Sequence, residues 1–233
     1  MCIHVLYLLL ITLIWITLLS ASSDSFIPFS SAGARSGYEN DGDDDNEDFE
    51  EEDSIQICCA WGMALKDGVL TYYIDDDDSS EREQQAVKDA IQEWDMKIEH
   101  LELEEGSNKE SSDITIEFDD SSEGEEIAGQ SITISDSYGF LAKTQITVFK
   151  GVEDYQFDHA IIEQVAKHEM GHALGLGHAN FDGNLMAEMV NDGTATVSEC
   201  EIYAVTTANQ WKLGTNNDED TTPDYPEHDT ITC

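Results

Sequence analysis

The run His168-Glu169-Met170-Gly171-His172-Ala173-Leu174-Gly175-Leu176-Gly177-His178, with Leu185-Met186 close behind it, decides how this chain is read. Residues four apart on a helix share a face, so the imidazoles of His168 and His172 can grip one metal ion. Glu169 is turned about 100° further round the helix, which sets its carboxylate beside the metal as a base for a water and not as a ligand. Gly175 permits the left-handed backbone that ends a helix, and the reversed chain brings His178 back to the same ion. Three neutral nitrogens with an open fourth position describe catalytic zinc, whereas a structural zinc is closed by four protein ligands.

A bare HExxH can fall on an amphipathic helix by accident; the third histidine, the glycine and the downstream methionine are independent further constraints. The extended motif followed by a Met-turn is the mark of metzincins, and the chain resembles that clan. Within it the chain is most similar to the matrixin branch, where the methionine also stands eight residues beyond the last histidine, as Met186 does beyond His178. The resemblance implies an α+β, zincin-like fold. Its parts are a twisted, mostly parallel five-stranded sheet with two helices, the second carrying the motif, then the Met-turn and a C-terminal helix. It implies a metalloendopeptidase with one catalytic Zn2+ on His168, His172 and His178, Glu169 as general base, and Met186 as the hydrophobic floor under the metal. A protein or peptide substrate would lie extended along the strand after Gly129, adding backbone hydrogen bonds. There are departures from the pattern. Ala187-Glu188-Met189-Val190 stands where a Pro and a Tyr shape the specificity pocket of matrixins, no tyrosine follows Met186 directly, and the His and Asp set of a structural zinc is absent.

The remaining sequence bounds the setting. Val5 to Leu19 is almost unbroken apolar sequence followed by small residues, which reads as a signal peptide over 1–22 or, since no Lys or Arg precedes it, an uncleaved membrane anchor. The expected location is extracellular, secreted or held at the cell surface. Residues 23–54 are Ser-rich and then acidic, an expected disordered linker or short propeptide, and the catalytic domain is expected over 55–214 with an acidic, loose tail over 215–233. Net charge is −41, and residues 55–214 alone carry 33 acidic against 9 basic side chains. Such a surface disfavours nucleic acid and anionic membrane as partners, so a membrane enters only through the N-terminal segment; the domain is read as a monomer. Ca2+ is a further cation that such a surface could take, but Asp75 to Asp78 lacks the alternating ligand spacing of an EF-hand loop and reads as a solvated turn.

With Cys2 lost in the leader, Cys58, Cys59, Cys200 and Cys233 remain, an even number suited to two disulfides in an oxidising compartment. If Cys58 and Cys59 do not bond each other, two connectivities are left, each tying the start of the domain to its C-terminal part. A matrixin-like latency cysteine would need a propeptide signature that the chain lacks.

Local signals place the elements. Val69 to Ile74 is strand-like. Ser80 with Glu83 forms a capping box ahead of Val87, Ala90, Ile91, Trp94 and Ile98 at helical spacing. Strands are expected at His100–Glu104, Asp113–Phe118, Gln130–Ser135 and Thr144–Phe149, the motif helix from Asp158 to about Gly175, and a last helix from Ser198 and Glu201 to Gly214. His100, His159 and His228 read as ordinary histidines. Two rivals to the peptidase are a silent zinc- or calcium-binding surface module, whose mark would be loss of the base at Glu169, and a hydrolase of a nonpeptide amide.

Overall fold

The computed structural model describes residues 52–120, 127–152, 155–189, 194–214 and 221–233. The leader-or-anchor reading and nearly all of the acidic linker lie outside these residues. Among the described residues no helix is long and apolar enough to cross a membrane.

In chain order the strands are β1 (Ser54–Ile57), β2 (Val69–Ile74), β3 (Glu102–Glu105), β4 (Ile114–Asp119), β5 (Gly129–Ser135), β6 (Leu141–Phe149), β7 (Gly151–Val152), β8 (Tyr155–Gln156), β9 (Leu176–Ala179) and β10 (Thr230–Thr232). The helices are α1 (Glu81–Lys97), α2 (His159–Ala173), α3 (Glu199–Ala208) and the short α4 (Gln210–Leu213). The main sheet runs β3-β2-β4-β6-β5, parallel throughout except for the antiparallel edge strand β5.

Period-two alternation gives this sheet one apolar face. In register, Tyr72 lies beside Ile114 and Ile74 beside Ile116, while Ile116 meets Ile146 and Phe118 meets Val148. On the opposite face Gln145 donates to Glu117, which also pairs with Lys109. A sheet with helices on one side only needs no second apolar face. Helix α1 starts where Ser80 and Glu83 cap each other reciprocally, and it buries Ala86, Val87, Ala90, Ile91 and Trp94. The Trp94 indole donates to the carbonyl of Lys167, tying α1 to α2. Between the same helices, Lys167 is buried and pairs with Glu93 and Glu163, each at 3.0 Å.

Two expectations need correction. His100 does not begin a strand: its φ of +68° is left-handed, and β3 starts at Glu102 after the chain has turned. The stretch 221–233 is not wholly loose, because β10 pairs antiparallel with β1, which pairs on its other side with β9. The cysteine pairing, which the sequence leaves open, is Cys58 with its neighbour Cys59 and Cys200 with Cys233. The second bond and β10 together hold the C-terminal residues against α3 and β1.

Candidate metal centre

Asp158 caps the motif helix by accepting the Ile161 N–H, and α2 then runs against β5 and β6 to Ala173. At its end Gly175 takes φ +105°, and a side chain there would collide with the carbonyl of Cys59. The chain reverses into β9, which carries His178. The reversal is held from outside. Asn209 accepts the Trp61 N–H and donates to the Leu174 carbonyl, while the Trp61 indole donates to the Ala173 carbonyl.

The three predicted histidines meet. Their ring centroids lie 4.7 Å (168 to 172), 5.4 Å (168 to 178) and 4.9 Å (172 to 178) apart. One nitrogen of each falls within 4.8 Å of the others. The imidazole Nδ1 of His168 donates to the Leu185 carbonyl at 2.8 Å, and that of His172 to the Leu176 carbonyl at 2.9 Å. A carbonyl can only accept, so each neutral ring carries its proton on Nδ1 and leaves a bare lone pair on Nε2. Those two Nε2 atoms face each other at 3.0 Å with no proton to share. Two lone pairs so placed repel unless a cation lies between them. Two nitrogens bound tetrahedrally to one zinc at about 2.0–2.1 Å stand about 3.3 Å apart. The donor set therefore fits zinc, with backbone carbonyls fixing the ring tautomers from behind.

Burial supports the same protonation state. Desolvation, reinforced by His172 and His178, drives the pKa of His168 down to about 3 against the pull of the Leu185 hydrogen bond. Desolvation also lowers His172, and it lowers His178 with help from His172 while Glu188 opposes. An imidazole that holds a metal ion must be neutral, and burial favours the neutral form in all three.

Met186 is fully buried and packs on the motif helix, where a side chain at Gly171 would strike its Sδ. The Leu185-Met186 segment is also wired to His168 and to β9. Leu185 bonds His168, the Met186 carbonyl accepts the Ala179 N–H at 2.8 Å, and Asn184 Oδ1 accepts the Met186 N–H at 2.7 Å. Glu169 is 5% exposed, and burial pushes its carboxyl up to about 7 against the pull of a hydrogen bond from Ser131.

A family model described as Matrixin matches residues 61–207. The chain belongs to the matrixin family. Membership gives this matrixin a metzincin catalytic fold and places it among zinc metalloendopeptidases, a family that acts on peptide bonds. No curated protein matches it.

Other sites resolve differently. In this matrixin, Cys58, Cys59, Cys200 and Cys233 are all spent in disulfides, so none presents a thiolate to the histidines. Asp75, Asp76 and Asp77 do bring carboxylate oxygens together. However, both oxygens of Asp75 already have partners, the Asp77 N–H and the Lys109 ammonium, as a solvated turn requires. His159 stands 3.2 Å from Asp89 and 3.6 Å from Glu163 on the outer side of α1 and α2, and His228 is exposed. Sequence reasoning missed Ser131 and Asn209. Ser131 could have been found from the alternation that puts it on the same face of β5 as Gly129; nothing local marks Asn209.

Proposed function

We propose that this matrixin is a secreted or surface-held zinc endopeptidase in which Glu169 moves the proton. The observation that carries this reading is a buried carboxylate on the helix turn that presents two of three neutral, converging imidazoles. His168, His172 and His178 would hold the zinc, which when bound lowers the pKa of a water to about 7 and polarises a carbonyl oxygen. Glu169 would take the proton as that water attacks the peptide carbonyl, and then give it to the leaving nitrogen. β5 would receive the substrate. It ends the main sheet, so its outer edge can add an extended peptide strand by main-chain hydrogen bonds. Export is supported by the two disulfides, which suit an oxidising compartment.

The test is Glu169→Gln in the zinc-loaded full chain, assayed on casein with and without a chelator. The variant should retain zinc and lose about 10²- to 10⁴-fold in activity, the span for a general acid–base group. Full activity in the Gln variant would refute the reading.

A further inference from the structure

We propose that Ser131 is the positioning residue for the proton-transferring carboxylate. Its hydroxyl anchors Oε2 of Glu169, so that Oε1 is the oxygen that takes the proton. This inference rests on the peptidase reading and adds a residue to it.

The geometry is specific. Ser131 Oγ lies 2.8 Å from Glu169 Oε2 and 3.2 Å from the Glu169 carbonyl, so its single proton has its better acceptor in the carboxylate. Among the described residues it is the one hydrogen-bond partner of that carboxylate. Helix α2 fixes the Cα of Glu169 but not its side-chain dihedrals. A base left to rotate spends part of its time away from the water it must deprotonate, and misplacement by an ångström is costly in rate. An anchor on one oxygen removes that freedom.

The other half of the seat is a missing side chain. At Gly129 a Cβ would stand 2.7 Å from Glu169 Oε1, 2.8 Å from its Cγ and 2.8 Å from a Val165 methyl. The carboxylate therefore lies flat on the bare backbone of β5, with Oε1 over Gly129 and Oε2 on Ser131. Residues two apart on a strand share a face, and the register with β6 sets both, Gly129 opposite Val148 and Ser131 opposite Ile146. A slip of one residue would turn Gln130 and Ile132 towards Glu169 instead. The base is thus seated on the strand offered to substrate.

The anchor can persist through the reaction. The ionised carboxylate accepts the Ser131 proton on Oε2; once Oε1 has gained a proton from water, Oε2 still accepts, and Ser131 keeps its own proton. When Oε1 passes its proton to the leaving nitrogen, the starting state returns.

Steady-state kinetics on a quenched fluorescent peptide, with zinc content and Tm measured on the same samples of full chain, test the proposal. Ser131→Ala should lower kcat about 10- to 100-fold, the worth of one hydrogen bond to a charged group, with KM, zinc content and Tm unchanged. Ser131→Thr, which restores the hydroxyl, should recover most of the loss. Gly129→Ala, an independent probe of the same seat, should also lower kcat with zinc retained. Three results would overturn the proposal while Glu169→Gln is inactive: wild-type kcat in Ser131→Ala, a change confined to KM, or a Thr variant as slow as the Ala variant. If Glu169→Gln is itself active, the peptidase reading falls and takes this inference with it.

Discussion

Asn209→Ala tests the joint that fastens the end of the motif helix to the rest of the domain. Asn209 is 1% exposed; its Oδ1 accepts the Trp61 N–H at 2.9 Å, and its Nδ2 donates to Leu174 at 2.9 Å and Val205 at 3.1 Å. The Val205 carbonyl keeps the Asn209 main-chain N–H in the variant, so two groups are stranded, the N–H of Trp61 and the carbonyl of Leu174. Each buried orphan costs about 1–3 kcal/mol. Partial entry of water into the vacated space relieves some of this, giving an expected loss of about 2–4 kcal/mol and a fall in Tm of roughly 5–15 °C for a domain of this size. Urea titration followed by tryptophan fluorescence reads the loss as a lower midpoint at constant slope, and Trp61 and Trp211 lie at the joint itself. Asn209→Asp retains the acceptor for Trp61 but turns an oxygen towards two carbonyls, so it should be no better than Ala. An Ala variant within about 0.5 kcal/mol of wild type would show that these hydrogen bonds do not hold the reversal.

Acid should unfasten the two long helices. Burial alone would raise the Glu93 carboxyl, but the Lys97 and Lys167 ammonium groups and the Val197 N–H outweigh it and hold Glu93 below its usual range. A depressed folded pKa contributes stability above the unfolded value, about 4.3, and that stability is lost as pH falls through the folded value. Glu93→Gln should therefore be less stable by about 1–3 kcal/mol at neutral pH, since Lys167 retains Glu163. The gap should close in unfolding titrations repeated down to acidic pH, and a pH-independent gap would contradict the account. Gly171→Ala sets helix propensity, worth about 1 kcal/mol in its favour, against overpacking of about 1–3 kcal/mol on Met186. The variant should melt lower and release zinc more readily to a competing chelator, because Leu185 moves with Met186; a higher Tm would sink this reading.

How far the chain could be read in advance depended on whether the deciding interactions were local. Both capping boxes, Ser80 with Glu83 and Ser198 with Glu201, announced helix starts because their partners lie three residues apart. The 168–178 run announced three converging rings because a helix and one left-handed glycine suffice to converge them. The small sheet β10-β1-β9 was not legible. Its strands are three or four residues long, lie far apart in sequence, and show no alternation that sets them apart from loop. At His100 the neighbours are strand-like in type, whereas a turn demands its positive φ. The cysteine count leaves the pairing open, and it is the fold that joins Cys58 to Cys59 and gives Cys200 the distant Cys233. Ser131 and Asn209 act across 38 and 148 residues, distances over which residue type alone says nothing.

The position of β1 sets a boundary for any processing of the chain upstream. Ser54 exchanges hydrogen bonds with Asn180, just beyond the strand of the third histidine, the Asp53 carbonyl receives the N–H of Cys233, and the Glu52 carbonyl receives the Asn180 amide. A scissile bond placed before Glu52 would spare all of these contacts. One placed within β1 would break the strand that pairs on one side with β10 and on the other with β9, which carries His178. The chain from Glu52 onward is thus built into the framework that positions the third histidine.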